Sequence, residues 1–303
     1  MKIKELKTNE TVIMDMLLMN VVERETKTRK PFLTLTLTDG ENTVDAIIWE
    51  MSLSDLSFDF PSVVSVQLKA ELYNGVISYK VGFVRESSAD IRNFIHKAPA
   101  GEKEFKELIS IADSFDDQDV KNLVMYILTA YKEDFCRWSA AKSMHHNLYG
   151  GLLYHTYRMT KLAEKIAEVY RDANRDYLIG GTILHDIGKL KELDSDDVGV
   201  AAYSVDGTLL GHSYIGMRMV EEAGKELKIS DEVIRNITHI IASHHGELEY
   251  GAITKPATLE AMLVHEIDMI DSRAYMFEEA EKDMEPGTVA EKVYGIGNVY
   301  KPL

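Results

Sequence analysis

The chain has 303 residues, a formal net charge of −16, 45% hydrophobic and 28% charged residues. That length suits two domains or one large one, and the composition is that of a soluble globular protein. The acidic balance disfavours passive adsorption to nucleic acid, and a single cysteine, Cys136, excludes both a disulfide framework and a cysteine-rich zinc knuckle.

The N-terminus, Met1-Lys2-Ile3-Lys4-Glu5-Leu6-Lys7, lacks the apolar core of a signal peptide. No apolar run approaches the roughly 20 residues that a membrane span needs, so a cytoplasmic location is the expectation. Residues 1–86 carry 10 Lys or Arg and 13 Asp or Glu, a net of −3. Most of the negative charge therefore falls on the remainder of the chain.

Residues 1–86 read as β structure. Val12 to Val22 is a mostly apolar run, followed by a polar loop holding Lys27, Arg29 and Lys30. Phe32 to Thr38 alternates strictly, with Leu33, Leu35 and Leu37 on one face and Phe32 with three threonines on the other. Asp39-Gly40 is a turn signal, and Val44 to Trp49 is a third strand. Val64, Val66, Leu68, Ala70 and Leu72 mark a fourth, and Asn74-Gly75 turns the chain into a fifth, Val76 to Val84. Five short strands, each with an apolar face, predict an all-β barrel of the OB type.

Barrels of that type hold single strands by stacking bases on aromatics beside a mildly basic groove. Phe32 lies opposite the leucine face of its strand, and Trp49 is on the less apolar face of its own. With Lys27, Arg29 and Lys30 they are the candidate nucleic-acid-binding residues. The ordinary alternatives are that Phe32 packs under a loop, Trp49 closes the barrel and the basic loop is simply solvated.

Residues 87–100 read as a linker. From 101 to 303 the period becomes helical, beginning with a stripe of Phe105, Leu108, Ile109 and Ala112 and a second running from Val120 to Tyr131. Further helices are expected near 152–170, 176–188, 209–225, 231–244 and 257–280. The tail after Pro286 is weakly periodic and reads as extended. The predicted architecture is thus two domains, an all-β barrel followed by an all-α domain.

The chemistry is concentrated in the helical part. His155 lies on the apolar stripe Leu152, Met159, Leu162, Ile166, Val169. His185 and Asp186 sit together inside Leu184-His185-Asp186-Ile187-Gly188-Lys189-Leu190. His212 follows, then the pair His244-His245, then Asp268 with Asp271 as the competing ligand three residues on. Imidazoles and carboxylates are costly in apolar surroundings unless paired or bound to metal. A lone histidine on an apolar face is more often a core residue with one hydrogen bond. Recurrence of such positions favours a divalent transition-metal cluster of Mn²⁺, Fe²⁺, Co²⁺ or Zn²⁺ built across facing helices.

Adjacent residues on a helix point about 100° apart, so Asp186 is suited to offer one oxygen to each of two cations while His185 serves one. Two metals about 3.5–4 Å apart can generate a hydroxide and clamp phosphate oxygens. Lys189, four residues after His185, is placed to hold a phosphate oxygen if the helix continues. Its bland alternative is a solvated helix-end lysine.

These residues, from His155 to Asp268 and in this order, resemble the HD superfamily of metal-dependent phosphohydrolases, an all-helical fold. The resemblance implies His155, His185, Asp186 and Asp268 on one metal, and Asp186, His212, His244 and His245 on the other. Together with the N-terminal barrel, the whole chain resembles the bacterial OB-fold/HD-domain 3′→5′ exoribonucleases of the YhaM type. That implies Mn²⁺-dependent removal of nucleotides from the 3′ end of single-stranded RNA, with single-stranded DNA open as a second substrate. Asp186 and Lys189 would be the catalytic residues. The acidic segment Asp194-Ser195-Asp196-Asp197 departs from what a path for RNA would suggest. Two alternatives stand beside this reading: an HD-type phosphohydrolase of a small nucleotide, and a non-catalytic RNA-binding protein with a structural metal site. A homo-oligomer is compatible with the acidic surface and long tail.

Overall fold

The computed structural model describes residues 2–73, 76–95, 97–138, 149–195, 201–282, 284–293 and 295–303. The turn expected at Asn74-Gly75 and the acidic pair Asp196-Asp197 lie outside the described residues. Two compact units are present, one reaching Lys97 and the other beginning at Ala98.

The first unit is a closed barrel of β1 (Thr11–Glu25), β2 (Pro31–Thr38), β3 (Thr43–Trp49), β4 (Ser62–Tyr73) and β5 (Val76–Glu86), in the order β1-β2-β3-β5-β4. β4 pairs back with β1, and a short parallel pairing of Ala46 with Tyr79 joins β3 to β5. This is the expected OB-like barrel. The alternation of β2 works as written: Leu33, Leu35 and Leu37 are buried and pack against Met16, Leu18, Ile48, Val66 and Leu68. Leu72 departs from its strand's apolar face. It is 61% exposed beside its partner Ile77, because the β4–β5 ribbon runs past the end of the barrel core.

The barrel also has a plug that hydrophobic alternation does not announce. A single 3₁₀ turn at Ile3–Glu5 places Ile3 and Leu6 in the barrel core. Asp39 fixes it. Its carboxylate accepts the Ile3 backbone N–H at 2.6 Å and the N–H groups of Glu41 and Asn42 at 2.9 and 2.8 Å. Burial pushes this carboxyl upward, but the three donors outweigh it and hold Asp39 below the usual carboxylate range.

The second unit contains α1 (Glu102–Asp113), α2 (Gln118–Ala130), α3 (Lys132–Arg137), α4 (Gly151–Val169), α5 (Arg175–Leu184) and α6 (Lys189–Glu192). A two-stranded ribbon of β6 (Leu193–Ser195) and β7 (Ala201–Tyr203) follows, then α7 (Val205–Leu227), α8 (Asp231–Ser243) and α9 (Leu259–Lys282). None of the described helices is long and apolar enough to cross a membrane. Side-chain caps start several of them. Asp117 accepts the N–H groups of Asp119 and Val120, Asn174 those of Asp176 and Tyr177, and Ser204 that of Gly207.

α5 is the hub. It is buried continuously from Leu178 to Leu184 and packs against α2, α4, α8 and α9. A helix apolar on every side belongs in the middle of a bundle. The helix expected over 176–188 ends at Leu184, where a turn through His185–Gly188 leads into short α6. α7 begins at Val205, four residues before the expected start, and is kinked at Gly211.

The tail forms a hairpin of β8 (Val289–Val293) and β9 (Gly297–Tyr300), with Val299 fully buried. The Lys301 ammonium donates to the carbonyls of Glu281 and Met284 at 2.8 and 2.7 Å. The closing segment thereby satisfies carbonyls at the C-terminus of α9, where a cation is electrostatically welcome.

Candidate metal centre

Each element brings one or two polar groups to a common point. α4 carries His155, the turn after α5 carries His185 and Asp186, α7 carries His212 just past its kink, the end of α8 carries His244 and His245, and α9 carries Asp268. The ligand-type atoms of His155, His185 and Asp186 lie within 4.8 Å of one another, and those of His212, His244 and His245 do likewise. Asp268 Oδ1 is 3.4 Å from His155 Nε2, on the side of the first group.

Asp186 stands between the two groups. Its Oδ2 is 3.3 Å from His185 Nε2 and 3.8 Å from His155 Nε2. Its Oδ1 is 3.5 Å from His212 Nε2 and 3.7 Å from His244 Nε2. One carboxylate thus presents an oxygen to each cluster.

The histidines are held from behind. Nδ1 of His185 donates to the Thr182 carbonyl and Nδ1 of His244 to the Ile241 carbonyl, both at 2.7 Å. Nδ1 of His212 donates to Glu192 at 3.0 Å, and Nδ1 of His155 to Asp271 at 2.8 Å. A carbonyl or carboxylate can only accept, so in all four rings the proton is on Nδ1 and the Nε2 lone pair is turned inward. That outer partner is what a metal-binding imidazole needs to fix its tautomer.

The inward atoms are correspondingly unsatisfied. Nε2 of His185, His212 and His244 and Oδ1 of Asp186 are buried with no hydrogen-bond partner among the described residues. Each such orphan costs on the order of 1–3 kcal/mol unless something binds it. Four lone pairs converging on one region match a cationic occupant, and the His/Asp donor set without sulfur suits a divalent ion such as those with imidazole and carboxylate preference. Nδ1 of His245 is also buried and unpartnered.

The electrostatics follow from the same geometry. Burial pushes the Asp186 carboxyl up, but Lys189 and His185 beside it hold it well below the ordinary range. Burial, reinforced by neighbouring His245, drives His244 well down, so it is a neutral ring with a lone pair to offer. Burial would also lower His155, yet Asp268 and Asp271 outweigh it and carry that ring up to about 9. A cation between His155 and Asp268 takes the place of that proton, since ligation and protonation compete for the same lone pair.

Two glycines make the backbone approaches possible. A Cβ on Gly188 would lie 1.9 Å from the His212 carbonyl oxygen, so only glycine lets the turn after Asp186 touch α7. Gly246 has φ +77°, and a Cβ there would strike the His265 ring at 2.3 Å. His265 in turn donates from Nδ1 to the His244 carbonyl at 2.8 Å, which settles the turn carrying the histidine pair.

Lys189 is not on a continuation of α5, as its spacing from His185 suggested. It begins α6, and the turn brings its ammonium to 2.5 Å from Asp186 Oδ2. Asp271, the competing ligand, faces the other way. It binds the back of His155 and accepts from Arg158 Nε at 2.6 Å. Glu192 carried no signal in sequence, because its contact with His212 exists only once α6 and α7 are packed.

In the barrel, Phe32 and Trp49 are register partners on β2 and β3, with ring centroids 4.9 Å apart and Trp49 48% exposed. Lys27, Arg29 and Lys30 are exposed, and Lys30 pairs with Glu50 at 2.5 Å.

The HD domain family model matches residues 152–273, the span from the start of α4 to the middle of α9. The chain is 33% identical to the 3′-5′ exoribonuclease YhaM of Geobacillus sp. (strain WCH70), over 97% of this chain and 93% of that protein. It belongs to the YhaM family. The YhaM enzymes of Bacillus subtilis (strain 168) and Listeria monocytogenes serotype 4b (strain CLIP80459) are 33% and 30% identical, over 90% and 100% of this chain. They are matched over 89% and 98% of their own length, so the likeness to YhaM covers barrel and helical domain together. An HD domain implies a divalent metal, and the His/Asp cluster lies inside the matched span.

Proposed function

We propose that this protein is a metal-dependent 3′→5′ exoribonuclease that shortens single-stranded RNA, with single-stranded DNA as a second substrate, in the cytoplasm. The observation that carries the reading is Asp186, whose two oxygens face two separate histidine groups. It is joined by membership in a family whose named enzymes are 3′-5′ exoribonucleases.

His155, His185, Asp186 Oδ2 and Asp268 would hold one cation; Asp186 Oδ1, His212, His244 and His245 would hold the other. Mn²⁺ is the ion of choice, because it accepts mixed imidazole and carboxylate ligands and leaves positions open for substrate. When bound, such a pair supplies Lewis acidity and a water made nucleophilic near neutral pH.

The chain supplies the rest. Glu192 and Asp271 keep the outer nitrogens of His212 and His155 protonated, so those rings cannot turn away. Lys189, part-buried beside Asp186, would neutralise a non-bridging phosphate oxygen as negative charge grows. The largely buried walls exclude bulk water and strengthen each of these interactions. Phe32 and Trp49 offer an aromatic surface on which bases stack without regard to sequence, and Lys27, Arg29 and Lys30 offer charge to the backbone.

The test uses 5′-labelled single-stranded RNA with Mn²⁺, beside a Mg²⁺ lane and Asp186→Ala. A ladder that shortens from the 3′ end in the wild type, and stays intact with the variant, is the expected result. RNA left whole by the wild type with every metal would sink the reading.

A further inference from the structure

A pocket of about 450 Å³ opens beside the metal centre. Its floor holds His155, Asp186 and Asp268, and α9 continues as its wall through Met269, Ser272, Arg273 and Met276. Tyr250 lines it as well, and Gly295 of the β8–β9 turn packs close to the Met276 sulfur at its far end. The volume suits a small ligand rather than a helix or a duplex.

The cations in and around this pocket differ, Lys189 and Arg273 lining it and Arg158 standing outside its lining. Lys189 is engaged with Asp186. Arg158, on the opposite helix, is tied to Asp271 and twice to Glu278. Arg273 also lines the pocket, yet it has no carboxylate partner among the described residues. The exposed Arg273 guanidinium sits about one and a half turns along α9 from Asp268, facing the same pocket as the metal centre. Its planar fork matches phosphate oxygens two at a time.

We propose that this pocket is the subsite for the 3′-terminal nucleotide, with Arg273 gripping its 5′ phosphate and Met269, Met276 and Tyr250 bracketing its base. The inference rests on the nuclease reading above and adds what selects a strand end. The lining runs from the metal-centre residues His155, Asp186 and Asp268 to Gly295, which follows β8. A nucleotide seated there places its 5′ phosphate, the one joining it to the rest of the strand, between Arg273 and Asp186. Thioether and phenol side chains pack on any base, so selection is for a terminus and not for a sequence.

The test compares wild type, Arg273→Ala and Arg273→Lys on single-stranded RNA with Mn²⁺ across a series of salt concentrations. For Arg273→Ala we expect kcat/KM to fall at least about tenfold, with both a higher KM and a lower kcat because the phosphate it grips is the one cleaved, and the salt slope of log(1/KM) to flatten by roughly 0.7, the share of one phosphate contact. Arg273→Lys should recover the slope and part of KM. Calorimetric binding of 5′-AMP in the presence of Mn²⁺ gives a readout independent of turnover, and should weaken by a similar factor in Arg273→Ala. Unchanged KM, slope and 5′-AMP affinity in a variant of unaltered melting temperature overturn the subsite. If the wild type leaves RNA intact, the nuclease reading fails by itself. Binding of 5′-AMP then decides the subsite alone, and its absence in the wild type, or equal affinity in the variant, overturns it.

Discussion

The barrel and the helical domain keep their informative residues in opposite places. In the barrel, the interior is apolar apart from a few buried polar groups such as Asp39 and Thr38, and the proposed stacking residues, Phe32 and Trp49, are on the outer face. In the helical domain the polar constellation is inside: His155, His185, Asp186 and His244 are each no more than 3% exposed, in the midst of a leucine and isoleucine core. A stacking surface needs only access, so its residues cost little and are hard to tell from ordinary surface aromatics. A metal centre needs dry, oriented lone pairs, so its residues cost a great deal unless filled, and that cost makes them stand out. The two regions therefore call for different evidence, exposure in one and orphaned buried atoms in the other.

The widest gap between the regions should appear when the supports behind the histidines are cut. Asp271→Asn and Glu192→Gln keep the shape but weaken the acceptor that fixes Nδ1 of His155 and His212. Each should lower metal affinity or activity by about 10–100-fold. Titration of Mn²⁺ followed by the rise in melting temperature checks this, because the wild type should gain stability on binding and the variants should need more metal to do so. Equal titration curves would mean that these contacts are incidental.

An effect of similar size, but on substrate binding rather than on metal affinity, is expected on the outer face of the barrel. Trp49→Ala should weaken substrate binding by roughly 1–3 kcal/mol, seen as a higher KM with kcat little changed. Phe32→Ala should act in the same direction and should not add fully, since the two rings touch. A loss in kcat instead would break the division of labour between the two regions.

The smallest effect on activity, though not on stability, belongs to the plug. Asp39→Asn leaves at most one productive acceptor where three backbone N–H groups converge, and should destabilise the barrel by about 1–3 kcal/mol. Because the folded carboxyl lies below its unfolded value near 4, this stability is present above that pH. It is lost as the pH falls through the depressed folded value. Acid unfolding of the barrel should therefore become less steep in Asp39→Asn, while RNA turnover near neutral pH stays close to wild type.

Much of this was legible in the linear sequence. Strict alternation at Leu33, Leu35 and Leu37 specified a half-buried strand, because a period of two admits only one face for the core. The change to a helical period after residue 101 specified the second architecture. The doublet His185-Asp186 stood out because charge inside an apolar run demands a partner. What the sequence could not carry was anything requiring two elements to meet. The Nδ1 partners Glu192 and Asp271 depend on how α6 packs on α7 and α4 on α9. The position of Lys189 depends on where α5 stops, which Gly188 and its contact with His212 decide and no periodicity reveals. The N-terminal plug depends on Asp39 reaching back to Ile3, and the pocket wall on a tail hairpin anchored by Lys301. Patterns local to one element follow from that element's period and propensities. Contacts between elements are fixed only by the free energy of the packed whole, and it is there that the buried lone pairs of Asp186 and the histidines acquire a common direction.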